Sequence, residues 1–215
     1  MKISINQLLL LSTGFTVSMI ISRVCYSGQF TYIFFSWNLF LAAIPVVISN
    51  YLAEAKNSTN QIILFVFWLL FFPNALYIVT DLVHLRESTN VPLWYDVIMI
   101  FSAALNGLIM AYLSLQKVEL FLQSKFNGKQ TNVIMMSCLF LGSAGVYIGR
   151  YLRWNSWDIL INPFGLTTEA AQHFFNPMEH PRSIGMTIIL TIFFGLFYML
   201  IKKLPGLMST RVNLL

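Results

Sequence analysis

Charge is what this chain has least of. Only 10% of its 215 residues are Asp, Glu, Lys or Arg, against roughly 25% in a soluble domain. With 57% hydrophobic residues, a surface facing water on every side cannot be covered, which excludes a soluble globular protein. Cysteine is scarce too. Cys25 and Cys138 give no metal or redox spacing and predict no disulfide. Internal repeats, low-complexity runs and any phosphatase, zinc-protease or nucleotide-binding string are also missing, so no enzyme class is announced by a motif. The net charge of +5 needs no nucleic acid, because lysines beside a membrane suit anionic lipid headgroups.

What remains is apolar sequence in long runs. About twenty residues span the hydrocarbon of a bilayer, and six runs reach that length or approach it. They cover about 5–21, 32–51, 62–80, 92–115, 133–152 and 184–200. The breaks carry polar punctuation at Arg23 to Gly28, Glu54 to Asn60, Arg86 to Asn90 and Lys125 to Asn132. The expected fold is therefore all-α, a polytopic transmembrane helical bundle filling one integral membrane domain over residues 1–215. The widest link, 153–182, contains Pro163, Gly165, Pro177 and Pro181 and leaves room for a short interfacial helix near Thr168 to Phe175. The first run lacks a small-x-small cleavage site, and Val24 stands where a lipoprotein signal wants a small residue before Cys25. An uncleaved first helix is expected.

Basic residues near span ends set orientation, the richer side being cytoplasmic. With the N-terminus inside, the inner segments hold Lys2, Lys56, Lys117, Lys125, Lys129, Lys202, Lys203 and Arg211. The outer links hold Arg23, Arg86, Arg150, Arg153 and Arg182. Both termini are thus expected in the cytoplasm of a cell with this protein in its cell membrane.

That orientation gathers the unusual polar residues on the outer side. Ionisable groups near hydrocarbon are costly, tend to face a cavity or one another, and mark function. On the third run, Pro73 frees a backbone carbonyl, and Asn74, Tyr77, Asp81 and His84 fall within roughly an 80° arc of one helix face. Asn74 alone is explained by the broken backbone. Asp96 lies one turn after Pro92, where the helix dipole favours a carboxylate, and Asn106 falls on the same side, deeper. The third group runs Gly149-Arg150-Tyr151-Leu152-Arg153-Trp154-Asn155-Ser156-Trp157-Asp158. A continuing helix would stack Arg150, Trp154 and Asp158 on one face, with Arg153 and Trp157 beside it. Snorkelling arginines and interfacial tryptophans explain part of this string, but not Asn155, Ser156 and Asp158, so a buried Arg–Asp network is expected. Gly145 and Gly149 would let another helix approach closely below Arg150.

The strings Pro73 to Leu85, Trp94-Tyr95-Asp96 and Gly149 to Asp158 resemble the bacterial membrane family catalogued as domain of unknown function 1361. The resemblance covers about 62–163. It implies a multi-span inner-membrane protein and assigns no activity, cofactor or catalytic residue.

Three functional readings stand open. One is an enzyme acting at the outer leaflet on a phosphate-bearing lipid or carrier. There Arg150 and Arg153 would hold the phosphate, His84 or Asp81 would act as general acid or base, and Asp96 or Asp158 would orient that base or hold a cation. Asn74, Tyr77, Asn155, Trp154 and Trp157 would line the substrate. The Asp-x-x-His spacing is common by chance, and His173, Glu179 and His180 read as solvated loop residues, so no metal ligand set is assigned. The second is a membrane assembly or partner-binding protein whose polar network fixes helix packing. The third is a small-solute carrier with a broken helix at Pro73.

Overall fold

The computed structural model describes residues 3–85, 91–176 and 178–212. Lys2, the break at Arg86 to Asn90 and Pro177 lie outside the described residues, as do the side chains of Leu160 and residues 205–215. No strand occurs among the described residues. The helices are α1 Ile5–Ser27, α2 Phe34–Glu54, α3 Ser58–Thr80, α4 Leu93–Gln123, α5 Gly128–Tyr147, the single turn α6 Asp158–Ile161, α7 Pro163–Phe175 and α8 Pro181–Val212. A 3₁₀ turn, Asp81–His84, extends α3, and a π turn, Ile148–Leu152, extends α5. Among the described residues, six helices are long and apolar enough to cross a membrane. The chain is a multi-pass, all-helical membrane protein.

Several helices outrun the apolar segments that announce them. α1 outlasts the apolar run that ends near Ile21 and continues to Ser27, closed by Gly28 in the left-handed conformation at φ 67°. Arg23 does not break it, because the guanidinium is buried against a carboxylate rather than presented to water. α3 begins at Ser58, earlier than hydropathy suggests, because the Asn57 side chain accepts from the Thr59 backbone N–H at 2.9 Å. α4 runs eight residues beyond Leu115, to Gln123. The side chain of Lys117 in that extension donates to Asn50 of α2. Pro45 and Pro73 stand inside α2 and α3 without ending either helix, as transmembrane helices commonly allow.

The helices cluster as two compact units, Met1–Ser124 and Lys125–Leu215. In the first, α2 packs against both α3 and α4, α3 against α4, and α1 against α4. Trp68, Phe35, Phe72, Leu39, Met99 and Leu115 are fully buried there, with Trp68 stacked on Phe72 at 4.8 Å. Gly107 allows α3 and α4 to touch closely: a Cβ there would lie 3.0 Å from the Ala75 carbonyl oxygen and 3.1 Å from Ile78 Cδ1. In the second unit, α5 packs against α8, and Leu139, Val146, Tyr147, Phe194 and Tyr198 are buried. α7 lies in the 153–182 link, starting five residues before the expected interfacial helix. Pro163 opens it, and Asn162 caps it by accepting from the Gly165 N–H at 3.0 Å.

Candidate functional site

Within the first unit, one end of the bundle collects the C-terminus of α1, the start of α2, the 3₁₀ turn after α3 and the start of α4. Asp81, His84 and Asp96 meet there. Their principal partners are residues the composition of the cluster did not suggest.

Asp96, in the first turn of α4, receives Arg23 from α1 by a two-pronged contact. Nε donates to Oδ1 at 2.7 Å and Nη2 to Oδ2 at 3.1 Å. The side chains are 3% and 1% exposed. Such a fork is the strongest geometry an Arg–carboxylate pair adopts. The guanidinium carbon also sits 4.2 Å from the ring centroid of Tyr32, a cation–π contact strengthened by the burial of both groups. The third guanidinium nitrogen, Nη1, is buried with no hydrogen-bond partner among the described residues. The Tyr95 hydroxyl donates to the Met19 carbonyl at 2.9 Å, adding a further link between α4 and α1.

Tyr32 carries the network onward, its hydroxyl donating to the His84 carbonyl at 3.0 Å. Asp81 is fully buried, and Asn38 of α2 donates to its Oδ2 at 2.9 Å. Its Oδ1 lies 3.8 Å from His84 Nε2, within ion-pair range for a protonated ring and long for a hydrogen bond. The 3₁₀ turn accounts for this meeting, because at three residues per turn side chains at i and i+3 eclipse. The His84 side chain remains 42% exposed, and its ring meets Phe34 edge-on at 5.4 Å.

Asn74 and Tyr77, expected on the same stripe, are half-buried. The Asn74 amide turns back on its own helix and donates to the Phe71 carbonyl at 3.0 Å. Asn106, deeper in α4, holds α1 instead of lining a path. Its Nδ2 donates to Thr16 Oγ1 at 3.0 Å and to the Ser102 carbonyl at 3.0 Å. Thr16 and Ser102 share a hydroxyl–hydroxyl bond of 2.6 Å.

Arg150, Arg153, Trp154, Asn155, Trp157 and Asp158 belong to the second unit, and the structure changes their expected arrangement. The helix does not continue through them. It loosens into the π turn and ends at Arg153, which adopts a left-handed backbone at φ 60°, so Arg150, Trp154 and Asp158 do not stack on one helix face. Asp158 instead closes a local turn, its Oδ2 accepting from the Asn155 backbone N–H at 2.6 Å and side-chain amide at 3.2 Å. Trp154 Nε1 donates to Glu169 Oε2 on α7 at 2.6 Å. Arg153 is exposed and Arg150 half-buried. His173 and His180, read as loop residues, stack at 3.8 Å, and the Tyr147 hydroxyl lies 3.1 Å from His173 Nδ1. No group of three or more His, Cys, Asp or Glu able to hold a metal occurs among the described residues.

Sequence reasoning passed over Arg23, Tyr32 and Asn38. A signal was present for two of them. Thr16, Ile20 and Arg23 recur at helical spacing and form a buried face of α1, while Asn38 is a polar amide one turn inside the apolar run of α2.

The six long apolar helices, with charge buried where helix ends meet, are those of an integral membrane protein. The chain belongs to the family described as "Protein of unknown function (DUF1361)", whose model matches residues 37–200. No curated protein and no solved structure matches it.

Proposed function

We propose that the protein is a non-enzymatic assembly or partner-binding component of a bacterial cell membrane, with the cluster of the first unit facing outward. The observation that carries this reading is the engagement of the carboxylates. Both oxygens of Asp96 are held by Arg23, Asp81 receives Asn38, and both acids are buried. A carboxylate bound on both oxygens and shut from water is poorly placed to exchange protons with a substrate. It is well placed to select one helix arrangement, since any other leaves a charge unpaired in a low-dielectric site. The clasp around Asn106 speaks in the same way against the carrier reading, because its amide is committed to α1 and α4. Membrane lipids and a membrane-protein partner are the proposed occupants of the surface so fixed.

One observation favours a second reading. His84 is half-exposed with a buried carboxylate behind it, the arrangement that orients a general acid or base. Under it, the protein is an enzyme acting on a phosphate-bearing lipid, with His84 as its acid or base.

Complementation of a deletion strain, with folded protein quantified in parallel, separates the two. For assembly, loss of function in Asp81→Asn and Asp96→Asn follows loss of folded protein, and His84→Gln is nearly silent in both. A His84→Gln protein present at wild-type level yet unable to complement would support the acid–base reading instead.

A further inference from the structure

The second unit carries a groove that the polar cluster does not use. It lies between α5 and α8, has a volume of about 700 Å³, and is lined by Asn132, Val133, Met136, Ser137, Phe140, Leu141 and Thr191. Gly195 of α8 stands against Leu139 and Met136, its Cβ position 3.9 and 4.0 Å from their side chains, while His173 joins the end of α5 to the start of α8, its Nδ1 3.1 Å from the Tyr147 hydroxyl and its carbonyl accepting from Ser183 at 2.6 Å. The two helices therefore run antiparallel. At 1.5 Å rise per residue, Lys202 and Lys203 fall level with the first turn of α5, where Lys129 stands, about 10 Å beyond Gly195.

Four lysines thus gather at one end of this helix pair: Lys125, Lys129, Lys202 and Lys203, all exposed. Lys202 lies over the Tyr198 ring at 5.5 Å. The acids of this unit, Asp158, Glu169 and Glu179, all sit in the link at the opposite end. From Asn132 to Leu141 the groove descends nine residues, roughly 14 Å, close to the hydrocarbon depth of one leaflet. Its floor is mostly apolar, with the Ser137 and Thr191 hydroxyls along it and the Asn132 amide at the lysine end.

We propose that this groove binds an anionic phospholipid, its phosphate at the lysine end and one acyl chain along α5 and α8. Charge complementarity selects this occupant. A second copy of the chain would bring four more lysines against the first four, whereas a phosphate relieves their mutual repulsion. The inference does not depend on the role of the cluster in the first unit.

The test is native mass spectrometry of the delipidated, detergent-purified full chain with dioleoyl phosphatidylglycerol or dioleoyl phosphatidylcholine added at equal concentration. Phosphatidylglycerol is expected to be retained at least about fivefold more strongly, and each lysine removed in Lys129→Gln and Lys203→Gln to weaken it roughly fivefold. Ser137→Trp, which fills the groove, lowers retention of both lipids; should that variant fail to fold by size-exclusion chromatography, Val133→Trp supplies the same obstruction. Equal retention of the two lipids, a preference that survives the lysine substitutions, or a dimer that excludes lipid from the groove would each overturn the proposal.

Discussion

At the scale of single residues, the chemistry of this protein lies in pairs rather than in isolated charges. Asp81 and Asp96 look like two free acids along the chain, yet each enters the bundle with a dedicated donor from another helix. A hydrogen bond to a charged group contributes about 1.5–3 kcal/mol. Asn38→Leu, which removes the amide from Asp81 Oδ2, is therefore expected to lower stability by roughly that amount, measured by unfolding in mixed detergent micelles. Asn155→Ala, at an exposed turn, is expected to shift it by no more than about 0.5 kcal/mol. The two carboxylates were legible in the sequence because acids are rare near hydrocarbon. The pairing of each with its donor was not. Arg23 counts as an ordinary span-end charge until α1 is seen to continue four residues past it, and nothing in the one-dimensional order brings Asn38 to Asp81.

Among the elements, hydropathy located all six spans, since bilayer thickness fixes the length of apolar helix required. It failed at their edges, where local hydrogen bonding decides. The Asn57 cap starts α3 early, and α4 outlasts its apolar run with Lys117 bound to Asn50. The string from Arg150 to Asp158 misled for a related reason. Its spacing suits a helix, but the π turn and the left-handed Arg153 rotate the chain out of register, and Trp154 is drawn to Glu169 instead. Small residues matter where elements touch. Gly107→Leu would drive a side chain into the Ala75 carbonyl and Ile78, and an overpacked contact of this kind costs about 1–3 kcal/mol. The same micelle unfolding measurement checks it, with Gly14→Leu, where a Cβ meets nothing within 4 Å, as the comparison expected to change little.

For the molecule as a whole, the first unit is organised around one end. Arg23 of α1, Tyr32 of the link before α2, Asn38 of α2, Asp81 and His84 of the 3₁₀ turn and Asp96 of α4 meet through bonds of 2.7–3.1 Å and the Arg23–Tyr32 contact. Apolar side chains cannot distinguish a neighbouring helix from lipid, so packing alone leaves the order of helices weakly specified. A buried ion pair raises the energy of the alternatives, because separating it strands a charge at a cost of roughly 3–5 kcal/mol. The measurement that tests this most directly is a double-mutant cycle with Arg23→Met, Asp96→Leu and the combined variant, each unfolded in micelles. The expected outcome is that either single variant is strongly destabilised while the pair together recovers much of the loss, giving a coupling of about 2–3 kcal/mol. Additive effects, with a coupling indistinguishable from zero, would contradict the claim that this pair holds the bundle in its arrangement.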